Sequence, residues 1–218
     1  MDAHEESDDE TSPASRRRMS VPPWLPRATF ESALIVFSLL LALGLETWHQ
    51  DRQERALARQ ALEGIELELR TNRDAARASS EFHDALRDTL RALDRVDALP
   101  PYSLYYEEGM FRPAGVVATA WESARIAGVF ERLPWDLVLA LSRLYDRQGE
   151  YAALGDRMTE EISTDLRREG AEAVLRDGYR GFIVLSEDFA NRERRLVERY
   201  DEALDRLAAW RDEGSPMR

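Results

Sequence analysis

Hydrophobic and polar positions alternate in different ways along the chain, and the changes mark its segments. Residues 1–27 begin acidic (MDAHEESDDE), turn Ser/Pro-rich and then basic at Arg16, Arg17 and Arg18. Having little apolar surface to bury, they are expected to be a disordered tail. Within them "VPPWLP" (Val21 to Pro26) is a stiff, extended approach unsuited to a helix interior. The one long apolar run follows, Ala33 to Leu45, in which nine of 13 residues are Leu, Ile, Val or Phe. At about 1.5 Å per residue the run covers about 20 Å, short of a hydrocarbon core of about 30 Å. Its flanks extend it. Trp24 and Trp48 bracket it as interfacial aromatics do, Arg27 and the arginine cluster precede it, and a window from Ala28 to Trp48 reaches spanning length if Glu31 and Glu46 are accepted near its ends. A transmembrane helix over 28–49 is therefore expected. A core helix of a soluble protein, or a signal segment cleaved at Ala42-Leu43-Gly44, are the other readings of the same run.

Beyond Trp48 the period becomes helical. Ala58, Leu62, Ile65, Leu69, Asn72 and Ala76 step by fours and threes, a heptad seam. Phe82, Leu86, Leu90, Leu93 and Val96 form a second stripe out of phase with the first, which predicts a kink or shift near 78–81. Leu99-Pro100-Pro101 ends the helix. An aromatic loop with Gly and Pro fills 102–116, and a helix is expected over Thr119–Leu133. Pro134 suits the first turn of the next helix, with Leu137, Leu141, Leu144 and Tyr145 on one side. Gly149 and Gly155 should weaken that helix and Gly170 should break it. The last stripe is Phe182, Leu185, Phe189, Leu196, Tyr200, Leu204, Leu207 and Trp210. With no alternating strand pattern, the fold class is all-α: one N-terminal transmembrane helix continuing into an antiparallel bundle of four or five helices over 50–213, with a disordered end at 214–218.

Composition narrows the chemistry. A net charge of -12 argues against nucleic-acid binding, which draws on cationic contacts to phosphates. There is no Cys and no Lys; all 30 basic residues are Arg. Thiolate, Schiff-base and P-loop chemistry are thereby removed. Only His4, His49 and His83 are present, and no G-x-S-x-G or G-x-G-x-x-G motif occurs. We expect no enzyme, no cofactor and no metal. Glu46-x-x-His49 has the spacing used in di-iron bundles, but those need a second such pair, and residue 80, three before His83, is Ser. "NRERRLVER" (Asn191 to Arg199), interrupted by Glu193 and Glu198, reads as a solvated helix face with i,i+4 pairs. Trp121, Trp135, Trp210 and the Tyr102, Tyr105, Tyr106 group read as core or loop packing. Asn72 on the seam either fixes helix register or caps a break.

Steps of about 100° per residue set Glu31, Ser38, Ala42, Glu46 and His49 on one stripe of the apolar helix. Ser38 and Ala42 form a small-xxx-small pair that permits close helix approach. The stripe is a candidate contact face for another membrane helix, with Trp24, Trp48 and Arg27 as interfacial anchors. The glutamates also suit simpler roles, Glu31 in a first helical turn and Glu46 at headgroup level beside Trp48; an ion- or proton-conducting stripe is a third reading.

The stretch Glu31 to Arg52 resembles the opening of a family of uncharacterised bacterial single-pass membrane proteins, whose members carry an acidic residue, an apolar run, then Glu, Asp or Asn just before a Trp and a charged helix. Thr119 to Ala124 followed by Gly128, and "LSRLYDRQGEY" (Leu141 to Tyr151), are similar to its later segments. The resemblance implies membrane anchoring and a helical domain, and no activity. The expected function is a membrane-anchored helical interaction or scaffold module, acting by self-association or partner binding. An oligomeric conducting or sensing device built on Glu31 and Glu46, and a secreted binding protein, are the alternatives. The expected partners are the lipid bilayer and a second copy or another membrane protein. Four Arg precede the run, and Arg52, Arg55 and Arg59 follow it. The small charge bias favours an N-terminus in the cytoplasm and a helical domain outside it, which in the bacterial inner membrane that the resemblance implies is the periplasm.

Overall fold

In the computed structural model the described residues are 25–101, 104 and 109–212, with the backbone alone described at 25–33 and 35. Residues 1–24 of the expected disordered tail, Trp24 among them, the expected disordered end and the Tyr102, Tyr105, Tyr106 group lie outside them, as do the side chains of Arg27 and Glu31; residues 25–27, expected as tail, belong instead to the first helix. Among the described residues the chain is all-α. α1 is Leu25–Arg95, α2 Thr119–Ile126, α3 Trp135–Glu169 and α4 Ala171–Asp212, with a 3-10 turn at Val129–Arg132. The chain divides into two units, residues 1–51 and 52–218.

In the first unit the helix carries Leu34, Val36, Phe37, Leu39, Leu40, Leu41, Leu43, Leu45 and Trp48, each 51–65% exposed. At about 100° per residue these side chains surround the helix. Ser38 and Thr47 donate their hydroxyls to the carbonyls of Leu34 and Leu43, both at 2.8 Å, so their polarity is absorbed by the helix itself. Among the described residues no helix is long and apolar enough to cross a membrane. The described side chains from Val36 to Leu45 cover about 15 Å at the helical rise.

The second unit is a bundle of the later part of α1 with α3 and α4. Hydrogen bonds order the helices: Glu66 to Arg211, Arg73 to Asp201, Arg91 to Glu187 and Asp94 to Arg180 run in opposite senses, so α1 and α4 are antiparallel. Glu68 to Tyr145 and Asn72 to Gln148 run in the same sense, so α1 and α3 are parallel. Ile65, Leu69, Leu141, Phe189 and Tyr200 are fully enclosed in the main core. A second cluster of Leu86, Leu90, Met110, Leu175 and Phe182 packs beside it.

The kink or shift expected at 78–81 does not interrupt α1, and the first stripe does not stop there. It continues through Ser79, His83, Leu86 and Leu90, all buried. The steps stay at three and four residues, and two polar positions had disguised one seam as two. Gly149 and Gly155 do not interrupt α3, which is buried along Leu137, Leu141, Leu144, Gln148, Tyr151 and Gly155. At Gly155 a Cβ would lie 3.1 Å from Pro113, so the small residue admits a crossing chain. Gly170 does break the chain between α3 and α4, at φ 81°. The helix predicted over Thr119–Leu133 stops at Ile126, and left-handed Gly128 (φ 69°) leads into the 3-10 turn. Pro134 stands one residue before α3. α4 starts well before the predicted stripe, its period absorbing Gly178 and Gly181. Trp121 is buried and stacks on Tyr145 at 4.8 Å, whereas Trp135, read as packed, is 75% exposed.

Candidate functional site

Parallel packing of α1 and α3 forces the connecting chain to return along the later part of α1, from His83 back to Glu68. It does so as an extended strap over 109–118, which runs back toward α2. Extended buried backbone has no helical partners for its N–H and C=O groups, so other groups must supply them. The polar residues of the α1 seam do this one after another. Ser79 Oγ bridges the Arg112 carbonyl (2.6 Å) and Glu193 Oε1 (2.7 Å). Asn72 takes both polar groups of Val117, donating to its carbonyl at 2.7 Å and accepting its N–H at 3.0 Å, as a neighbouring β-strand would. Gln148 donates to the same carbonyl at 2.9 Å and accepts from Asn72 (3.2 Å) and Tyr200 (2.7 Å). Glu68 accepts the N–H groups of Ala120 (2.7 Å) and Trp121 (3.3 Å), unpaired donors at the start of α2. Tyr145 donates to the same carboxyl at 2.8 Å.

Glu193 is fully enclosed, together with His83. His83 Nδ1 lies 2.9 Å from Glu193 Oε2, and the Arg112 N–H points at His83 Nε2 at 3.4 Å. This pair of contacts fits the tautomer with its proton on Nδ1. Tyr151 donates to Glu193 Oε1 at 2.6 Å and accepts the Ala114 N–H at 2.7 Å. Phe82, Phe111 and Phe189 surround the imidazole. Burial, reinforced by the adjoining carboxyl, pushes the Tyr145 and Tyr151 hydroxyls far above the usual phenol range, and burial does the same to Tyr200. All three are therefore fixed as proton donors at ordinary pH. Among the described residues no buried side-chain nitrogen or oxygen lacks a partner. A cluster so enclosed and so extensively bonded positions the backbone of the strap.

The residues singled out from sequence are elsewhere. Ser38, Ala42, Glu46 and His49 are exposed on the helix of the first unit, and Trp48 is exposed with them. Glu193 was read as part of a solvated face and is instead wholly buried. The α4 stripe carried the signal: Phe189 and Leu196 are seven apart, and position 193 fills the seam between them. Asn72 neither caps a break nor meets another helix alone; it holds the strap. No group of His, Asp and Glu among the described residues could hold a metal ion. No family model, curated protein or solved structure matches the chain.

Proposed function

We propose that the chain is a membrane-anchored, non-enzymatic helical module that acts through self-association or a partner protein. The observation that carries this reading is the ring of exposed large apolar residues from Leu34 to Trp48. A helix apolar on all sides is stable only when surrounded by protein core or lipid. Nine Leu, Ile, Val and Phe side chains favour insertion by up to about 5 kcal/mol on the translocon scale. The span would run over 28–49, and the motif resemblance to bacterial single-pass proteins supports the same reading. The second unit suits a binding module, since its buried polar groups are spent on holding the strap. Within the span, Ser38 and Ala42 permit close approach of another helix, and Glu31, Glu46 and His49 line the same stripe.

The chain has no native Cys, so single-cysteine variants give clean crosslinks. Ser38→Cys and Ala42→Cys should form disulfide-linked dimers in membranes, and Leu40→Cys, about 160–200° around the helix, should not. Equal crosslinking at all three positions, or none, contradicts the contact face. A reporter fused after Arg218 should be active only on the periplasmic side; activity on the cytoplasmic side reverses the topology.

A further inference from the structure

The outer seam between α3 and α4 carries a feature that neither the strap nor the apolar run uses. Two adjoining clefts of about 170 and 300 Å³ share Arg199. The first is lined by Arg147, Arg192, Arg195 and Arg199, with Glu150 beside them and Tyr151 and Leu196 completing the lining. The second adds Arg143 and Arg206, with Asp136 and Glu202. A chain of net charge -12 thus gathers six arginines along one seam against three carboxylates.

Their pairing is selective. On α4, Arg176, Arg180, Arg192, Arg194 and Arg211 each have a carboxylate partner, at Asp177, Asp94, Asp188, Asp84 and Glu66. The three α4 arginines with no ion pair among the described residues, Arg195, Arg199 and Arg206, all line the clefts. Across the seam Arg143 is also without one, and Arg147 meets only Glu150 at 2.8 Å. Arg195 and Arg199, like Arg143 and Arg147, stand four apart, where like charges repel. An anion seated between them relieves that repulsion. Guanidinium forks match the oxygens of a phosphoryl group in bidentate fashion, and several forks around one cleft suit a multiply charged oxyanion better than a lone carboxylate. The first cleft is smaller than a pocket for a drug-sized ligand, which fits a phosphoryl group rather than a large organic body.

We propose that this seam binds a phosphate-class oxyanion, with Arg195 and Arg199 as its principal ligands. The site does not depend on the membrane reading. The phosphoryl group can come from a soluble phosphate or from a lipid headgroup, and the test separates the two. Full-length chain in uncharged detergent is titrated calorimetrically with pyrophosphate. Its thermal midpoint is then compared in phosphatidylcholine nanodiscs with and without phosphatidylglycerol. Variants are Arg195→Gln/Arg199→Gln, the charge-keeping Arg195→Lys/Arg199→Lys, and a control pair on α3 outside the clefts, Arg167→Gln/Arg168→Gln. We expect pyrophosphate affinity to fall roughly tenfold or more in the Gln pair, less in the Lys pair, and to hold within about twofold in the control. Absence of pyrophosphate binding, together with a phosphatidylglycerol-dependent rise in midpoint lost in the Gln pair, assigns the lipid source. No response in either arm, or equal loss in the control pair, overturns the site.

Discussion

Two stretches of α1 depart from the usual arrangement in opposite directions. From Leu34 to Trp48, large apolar side chains face outward. From Glu68 to His83, polar side chains face inward. Among the described residues nothing covers the first stretch, whose large apolar side chains are exposed, so its stability depends on its surroundings. The second carries its compensation with it. Each buried polar group except Ser80, which donates to the Arg77 carbonyl of its own helix, meets the returning chain's backbone or another seam residue, and the cost of desolvation is met within the fold. A greasy exposed helix is thus a statement about a partner, while a polar buried seam is a statement about the returning chain.

The contrast can be broken most sharply at Glu193. Glu193→Ala strands the His83 ring and the Tyr151 hydroxyl without their common acceptor, leaves Ser79 only the Arg112 carbonyl, and opens a cavity. It should cost about 3–5 kcal/mol in urea unfolding of the full chain. A loss below 1 kcal/mol would mean that the cluster is not closed as described. Asn72→Ala removes the side chain that receives the Val117 N–H, while Gln148 still serves the Val117 carbonyl. The expected cost is about 2 kcal/mol. Hydrogen exchange should quicken at Val117 and stay unchanged on the far turns of α4; uniform quickening would deny the strap its own anchor.

The smallest effect lies on the surface. Arg70 and Arg211 hold the Glu66 carboxyl below its ordinary value of 4.5, chiefly by hydrogen bonding. A carboxyl lowered in the fold adds stability that is fully present above the unfolded value and is lost as pH falls through the folded one. Glu66→Gln should therefore cost under about 1 kcal/mol at neutral pH and flatten the fall in stability below pH 4.5. An unchanged acid limb in stability-versus-pH curves would remove Glu66 from the account.

Much of this was legible in the residues. The α1 seam from Ala58 to Ala76, the Gly170 break and the all-α class follow from period and glycine placement. The rest was hidden where polar residues occupy seam positions. Ser79 and His83 split one stripe into two, and Glu193 looked solvated because its neighbours Arg192 and Arg194 are. Hydrophobicity alone cannot reveal a buried carboxyl; only its seven-residue spacing does. Nor can local pattern show that the chain after Pro101 returns along α1, because that is set by contacts between residues such as Asn72 and Val117, 45 apart.

We propose that the apolar stretch seats the chain in lipid while the polar seam closes the domain independently. Flotation of bacterial membranes on a density gradient after alkaline carbonate washing tests it directly. The full chain should rise with the lipid. Leu40→Arg, which puts a charge costing about 3 kcal/mol at mid-run, should stay in the soluble fraction with an unaltered urea midpoint. Wild-type protein left at the bottom of the gradient in soluble, monodisperse form would contradict the account.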